Sequence, residues 1–87
     1  MEQQNQHNLV PDALLPLRAE IDLIDHQILD LLCQRNAIVE KVAAVKKNTG
    51  FGIRDFVREQ ELLADRGQRA ESAGLRSEVI ESLFRVI

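Results

Sequence analysis

Hydrophobic residues recur through the first half of the chain at alternating steps of four and three residues. This spacing places them along one side of an α-helix, in a stripe of the kind that packs against another helix. The members of this stripe, here called the seam, are Leu17, Ile21, Ile24, Ile28, Leu31, Ile38, Val42 and Val45. No helix breaker lies between Pro16 and Asn48. We therefore expect a first helix of more than thirty residues, roughly 45–50 Å long.

Arg35 occupies the seam position between Leu31 and Ile38. A guanidinium cannot be neutralised, so a buried arginine needs a bound anion or a carboxylate partner. Lys46 follows eleven residues later and returns to nearly the same side, since ~3.6 residues per turn makes this about three turns. Two cations on one side of the helix indicate a pocket for a negatively charged ligand. The alternative is an ordinary ion pair with a neighbouring helix, or a side chain whose end reaches water.

Two shorter helices are predicted after the glycines at positions 50 and 52, which can end the first helix. The second runs from about Asp55, its N-cap, to Ser72, and Gly67 weakens it by ~1 kcal/mol relative to alanine. Gly74 ends it, and a third helix opens at Arg76 or Ser77. The apolar contacts of the second helix are expected from Val57, Leu62, Leu63 and Ala70. The apolar residues of the third helix are Val79, Ile80, Leu83, Phe84 and Ile87.

The fold class is therefore all-α, a three-helix protomer with one very long first helix. Residues 1–11 are a polar N-terminal lead-in, and residues 12–87 form the helical domain. A chain of 87 residues buries only ~60–65% of its unfolded surface, so association adds core. Because the first helix is too long to fold back on itself in a small monomer, we expect an intertwined helical homodimer.

Charge and composition exclude several partners. The net charge is -3 and lysine and arginine are spread among carboxylates, so nucleic acid is not expected. No apolar run approaches the ~18 residues of a membrane span and no signal peptide is present, which predicts a cytoplasmic protein. The single cysteine, Cys33, forms no intrachain disulfide, and beside Leu31 and Leu32 we expect a buried structural thiol.

The second helix carries a charged group at its start, in which Asp55, Arg58 and Glu59 share one face. In the simplest interpretation Asp55 is the cap, Arg58 pairs with an acid, and Glu59 favours the positive helix end. Arg18 lies seventeen residues before Arg35, about 25 Å along the axis and roughly 100° around it. It can therefore join Arg35 and Lys46 only across an antiparallel dimer; otherwise it is a solvated first-turn residue.

The remaining polar residues offer no other chemistry. His7 and His26 have no partner at metal-ligand spacing, no nucleophile has a base near it in sequence, and no glycine-rich phosphate loop occurs. We expect no metal and no cofactor. The set that remains, cations with two carboxylates, can bind and orient a polyanion and stabilise developing charge without acid–base catalysis.

Five blocks of sequence carry a specific resemblance. LRAEIDLID at 17–25, LLCQR at 31–35, VAAVK at 42–46, IRDFVRE at 53–59 and GL at 74–75 resemble the all-α chorismate mutase family, with gapless spacing. The resemblance covers about residues 14–87. It implies a homodimer with intertwined first helices and two identical sites, which rearrange chorismate to prephenate in phenylalanine and tyrosine biosynthesis.

The resemblance also implies a role for each charged residue. Arg35 and Arg18 of the partner subunit would hold the two carboxylates of chorismate. Lys46 would point at the ether oxygen. Glu59 and the region of Asp55 would hold the ring hydroxyl, with Arg58 in support. Lys46, Arg35 and Glu59 are then the catalytic residues, and no cofactor is required.

Departures from the family pattern leave alternatives open. The family's third helix carries a glutamine or glutamate beyond the position of Ile87, and a polar residue a turn earlier. At the start of this helix, Arg76 stands where the family often has Asp or Ser. An isochorismate pyruvate lyase uses a similar cationic pocket on the same fold. A non-catalytic helical dimerisation or regulatory module, and the mutase domain of a longer bifunctional enzyme, are the other interpretations.

Overall fold

The computed structural model describes residues 10–50 and 55–87 of the chain. These residues form three α-helices and no strand: α1 spans Leu14–Thr49, α2 spans Phe56–Ser72 and α3 spans Ser77–Val86. The predicted all-α class and the very long first helix are confirmed. Most of the expected lead-in over residues 1–11 lies outside the described residues, as does Gly52. The chain divides into two compact units, Met1–Ile38 and Val39–Ile87, and α1 runs through both.

Local signals define both ends of α1. The helix begins two residues before Pro16, which therefore lies in the first turn, where its missing N–H is not needed. The Leu14 N–H donates to the carbonyl of Pro11 at 2.9 Å. At the other end the helix stops at Thr49, and Gly50 takes a φ of +73°, the left-handed conformation expected of a terminal glycine.

The seam of α1 is open to water in the single chain. No residue of this helix is buried, and the seam side chains keep between 46% and 61% of their surface exposed. Cys33 is exposed as well, so the prediction of a buried thiol is wrong for the single chain. It lies two residues from Leu31, about 200° around the helix, and thus points away from the seam although its sequence neighbours are apolar.

In the unit Val39–Ile87, α2 and α3 pack against each other around small residues of α2. Ala70 is 5% exposed and Gly67 is also buried. Leu62 and Leu63 are half-buried, as expected, but Val57 is 68% exposed. The prediction that Val57 makes an apolar contact is therefore wrong. This residue lies ten positions before Gly67, about 15 Å along the helix axis from the packed region.

Gly67 lies against the side chain of Glu81 on α3. A Cβ atom at this position would stand 2.5 Å from Oε2 of Glu81, so a side chain there would shift the flexible end of the glutamate. The glycine that weakens α2 by ~1 kcal/mol as an isolated helix is thus buried beside α3 in the folded chain.

A charged cluster lies beside this contact. Arg66 donates to Oδ2 of Asp65 at 2.6 Å, and Nε of Arg69 lies 3.0 Å from both carboxylate oxygens of Asp65. The Arg66 guanidinium, followed by that of Arg69, holds the pKa of the Asp65 carboxyl below its ordinary value. The guanidinium carbon of Arg66 also lies 5.7 Å from the ring centroid of Phe84, which links α2 to α3 by a cation–π contact.

The turn between α2 and α3 is a Schellman motif. The Leu75 N–H donates to the carbonyl of Ala70 at 2.8 Å, and the Gly74 N–H donates to that of Glu71 at 3.1 Å. Gly74 has a φ of +83°, as its predicted role requires. Helix α3 then begins at Ser77 with Arg76 as an N-cap that makes no side-chain capping bond. Hydrogen bonds from the Glu78 backbone N–H, the Ser77 hydroxyl and the Arg76 guanidinium lower the pKa of Glu78.

We expect Gly74→Ala to lower the free energy of unfolding by about 1 kcal/mol, because a Cβ atom is strained in the left-handed conformation. Gly74→Asn should cost less, since asparagine tolerates this conformation better. Ser72→Ala, two residues earlier in the regular helix, is the matched control and should change stability by less than about 0.5 kcal/mol. Urea denaturation at one fixed protein concentration measures all three. Equal stability of the alanine variant at position 74 and the wild type would contradict the role of Gly74.

Candidate functional site

Arg18 and Arg35 both lie on α1 within the unit that ends at Ile38. Because the helix between them is unbroken, seventeen residues separate them by about 25 Å along its axis. Arg18 is exposed, whereas Arg35 is half-buried. The single chain thus keeps these two arginines apart, as the sequence spacing predicts.

Burial along α1 distinguishes Arg35 and Lys46 from their neighbours. Of the 36 residues of this helix, 33 are exposed and three are half-buried: Leu32, Arg35 and Lys46. Two of these three are the cations that the sequence places on one side of the helix. A cation that is partly shielded from water interacts more strongly with an anion than a fully hydrated one.

The start of α2 is organised by Asp55. This residue has an extended backbone, with φ -114° and ψ 93°, and its Oδ1 accepts a hydrogen bond from the backbone N–H of Arg58 at 3.0 Å. Its carbonyl accepts the first helical hydrogen bond, from the N–H of Glu59 at 2.9 Å. The predicted N-cap is therefore confirmed.

Burial also differs among these charged residues of α2. Asp55 and Glu59 are half-buried, while Arg58 is exposed. Glu59 lies in the first turn, where the unpaired N–H groups of the helix favour a negative charge. The first turn thus brings two partly covered carboxylates to one end of α2. Such groups can accept hydrogen bonds from a hydroxyl of a ligand.

A shallow surface depression lies on another part of α2. It is lined by Asp65, Gln68, Arg69, Ser72 and Ala73 and shares no residue with the predicted site. The spacing of Asp65 and Arg69, four residues apart on a helix, is the sequence signal that could have identified their ion pair in advance. The depression is open to solvent, and its charges are already paired with each other.

Residues 10–50 and 55–87 contain no group of three histidine, cysteine or acidic side chains arranged to hold a metal ion. None of the helices in this part of the chain combines the length and the apolar character of a membrane-crossing segment.

Comparison with known proteins gives one family and several relatives. The model of the chorismate mutase type II family matches residues 17–87. A T-protein of Enterobacter agglomerans is 39% identical over 72 residues, which is 83% of this chain and 19% of that protein. A T-protein of Haemophilus influenzae is 36% identical over 74 residues, 85% of this chain and 20% of the relative.

A shorter relative also matches. The chorismate mutase of Methanocaldococcus jannaschii is 39% identical over 49 residues, 56% of this chain and 50% of that protein. The matched segment therefore spans about a fifth of the T-proteins and half of this mutase. No solved structure matches the chain at a significant level.

Proposed function

The chain belongs to the chorismate mutase type II family, and we propose that it rearranges chorismate to prephenate. The observation that supports this most directly is on α1. A helix whose seam is otherwise apolar carries two cations on that side, and both are half-buried. A site of this charge suits a dianionic substrate, and chorismate carries two carboxylates.

Arg35 and Lys46 then have different tasks. A guanidinium offers two parallel N–H donors and matches a carboxylate, so Arg35 holds one carboxylate of chorismate. Lys46 has a compact ammonium, which suits a single oxygen atom. We assign it to the ether oxygen that links the enolpyruvyl group to the ring, in line with the resemblance to the family.

The reaction needs no proton transfer and no cofactor. The carbon–oxygen bond breaks ahead of the new carbon–carbon bond, so negative charge gathers on the ether oxygen. An ammonium fixed beside this oxygen stabilises the transition state more than the bound substrate, which is the condition for a faster chemical step. The arginines contribute by holding the diaxial conformer, in which the reacting carbons lie close together.

Glu59 is assigned to the ring hydroxyl of chorismate. It is half-buried in the first turn of α2, and its carboxylate can accept a hydrogen bond from that hydroxyl. Arg58, which is exposed, is assigned a supporting role. Both carboxylate positions that face the hydroxyl in the family, Asp55 and Glu59, are filled here, which favours the mutase over the related lyase reaction.

A homodimer completes this proposal. The seam of α1 leaves 46–61% of each side chain exposed in one chain, and a continuous apolar stripe of this kind is typical of an interface. If two α1 helices cover each other's seams in antiparallel order, Arg18 of the partner subunit comes to the site of Arg35. We also propose that residues 12–87 form the helical domain and that the protein is cytoplasmic.

Replacement of Lys46 tests the mechanism. We expect Lys46→Ala to lower kcat by about 10²–10³, the usual effect of removing one fixed donor to a developing oxyanion. The measurement is the initial rate of chorismate consumption by the protein that carries this sequence, together with its circular dichroism.

Lys47→Ala is the matched control for Lys46. Both lysines lie in the last turn of α1, so both variants lose the same favourable interaction with the helix C-terminus. Lys47 is exposed and lies about 100° around the helix from Lys46. Its replacement should leave kcat within about twofold of the wild type. An unchanged kcat in Lys46→Ala would refute the assignment to the ether oxygen.

Subunit complementation tests the position of Arg18. Arg18→Ala and Arg35→Ala should each be nearly inactive as homodimers. When the two proteins exchange subunits, each heterodimer has one site with both lesions and one site with neither. An equal mixture should therefore recover about a quarter of the wild-type activity, since half of its dimers are mixed.

The outcome depends on which chain supplies Arg18. Native mass spectrometry identifies the heterodimers, and the recovered activity should rise in proportion to their amount. Heterodimers without activity would show that Arg18 does not act across the interface on the site of Arg35. A folded protein that stays monomeric at micromolar concentration in sedimentation would contradict the homodimer itself.

A further inference from the structure

We infer that the side chain of Asp55 is a positioning group that acts on the substrate through Glu59, instead of binding chorismate itself. This inference rests on the proposed function and changes the role that the family resemblance implies for the region of Asp55. It starts from the hydrogen bond that this carboxylate already makes.

One oxygen of the Asp55 carboxylate is bound to the backbone of α2. Its Oδ1 accepts from the N–H of Arg58 at 3.0 Å, and the φ of -114° and ψ of 93° are those of an N-cap residue. This bond satisfies one of the N–H groups that have no partner within the helix. The capping bond is the contact of this side chain that the structure shows, and we take it as the basis of its role.

The capped turn is also the turn that carries Glu59. The N–H of Glu59 donates to the carbonyl of Asp55 at 2.9 Å, so the side chain and the carbonyl of Asp55 together hold the backbone of Arg58 and Glu59. This backbone fixes the point from which the Glu59 side chain starts and the direction of its Cα–Cβ bond. Loss of the cap would fray the first turn and let Glu59 take several directions, and small displacements of a substrate-binding group reduce the rate strongly.

Four replacements separate capping from charge. Serine and asparagine are good N-cap residues without a charge, glutamate keeps the charge but is not a preferred cap, and alanine has neither property. If Asp55 positions Glu59, Asp55→Ala and Asp55→Glu should both lower kcat/KM, by about fivefold or more. Asp55→Ser and Asp55→Asn should recover most of this loss. If the Asp55 carboxylate bound the substrate directly, Asp55→Glu would instead have a higher kcat/KM than Asp55→Ser.

The exchange rate of the Arg58 amide hydrogen gives a readout independent of activity. Measured by NMR below the unfolding transition, it should rise in Asp55→Ala and Asp55→Glu and stay near the wild-type value in Asp55→Ser. A capping bond with a purely structural role would change this rate and the stability, but not the kcat/KM of the fully folded protein.

A double-mutant cycle tests the route through Glu59. Glu59→Gln lowers activity by itself, and in this background the difference in kcat/KM between Asp55→Ala and Asp55→Ser should largely disappear. The inference is overturned if serine is no better than alanine, or if the difference persists without Glu59. A wild-type protein that leaves chorismate unchanged would instead overturn the proposed function, and the role of Glu59 with it.

Discussion

The apolar seam of the long helix α1 is exposed to water in the single chain. The proposed assembly and the proposed site both depend on covering this seam. None of the 36 residues of α1 is buried, and Leu31, in the middle of the seam, is 61% exposed. Each large aliphatic side chain that moves from water into an interface contributes about 1.5–3 kcal/mol. A second copy of the same chain is the partner that this repeated pattern fits best, because a symmetric pair can cover both seams at once.

The same need to cover the seam explains where the cations lie. An ion pocket needs walls that exclude water, and a small protomer with few buried residues provides little of this by itself. In the proposed dimer, a second helix covers the seam of α1, and Arg35 and Lys46 share that side of the helix with the aliphatic seam residues. Their attraction for an anion is then stronger than at an open surface, because fewer water molecules compete for it. In the proposed dimer, the interface and the substrate site therefore share one side of α1.

Predictions from the sequence succeeded where the signal is local. The uninterrupted apolar spacing predicted helix α1. The helix ends at Gly50 and Gly74 were predicted because glycine tolerates the left-handed conformation. Asp55 was predicted as an N-cap because aspartate is preferred there. Each of these signals lies within a few residues of the feature that it predicts. That locality is also why the helix ends came out within two residues of their expected positions.

Two interpretations of the sequence did not hold in the folded chain. Cys33 has apolar neighbours in sequence, yet it lies about 200° around α1 from the seam residue Leu31 and is exposed. Gly67 is a defect in α2 when judged by propensity alone. Its burial becomes visible only when Glu81 of α3 is placed against it. The helical spacing between Leu31 and Cys33 could have placed the thiol away from the seam, whereas the contact of Gly67 with Glu81 depends on which side of α2 the third helix packs.

Net charge adds a last constraint on the proposed site. The protein carries a charge of -3, so its overall field does not attract a dianion. At physiological ionic strength, charges more than about 8 Å apart are largely screened, and only the groups beside the ligand contribute much. At the proposed site, selection of chorismate therefore depends on the few residues that touch the substrate and on the backbone that positions them. On the inferred role of Asp55, its capping bond matters to function alongside these charges, since it holds the backbone turn that carries Glu59.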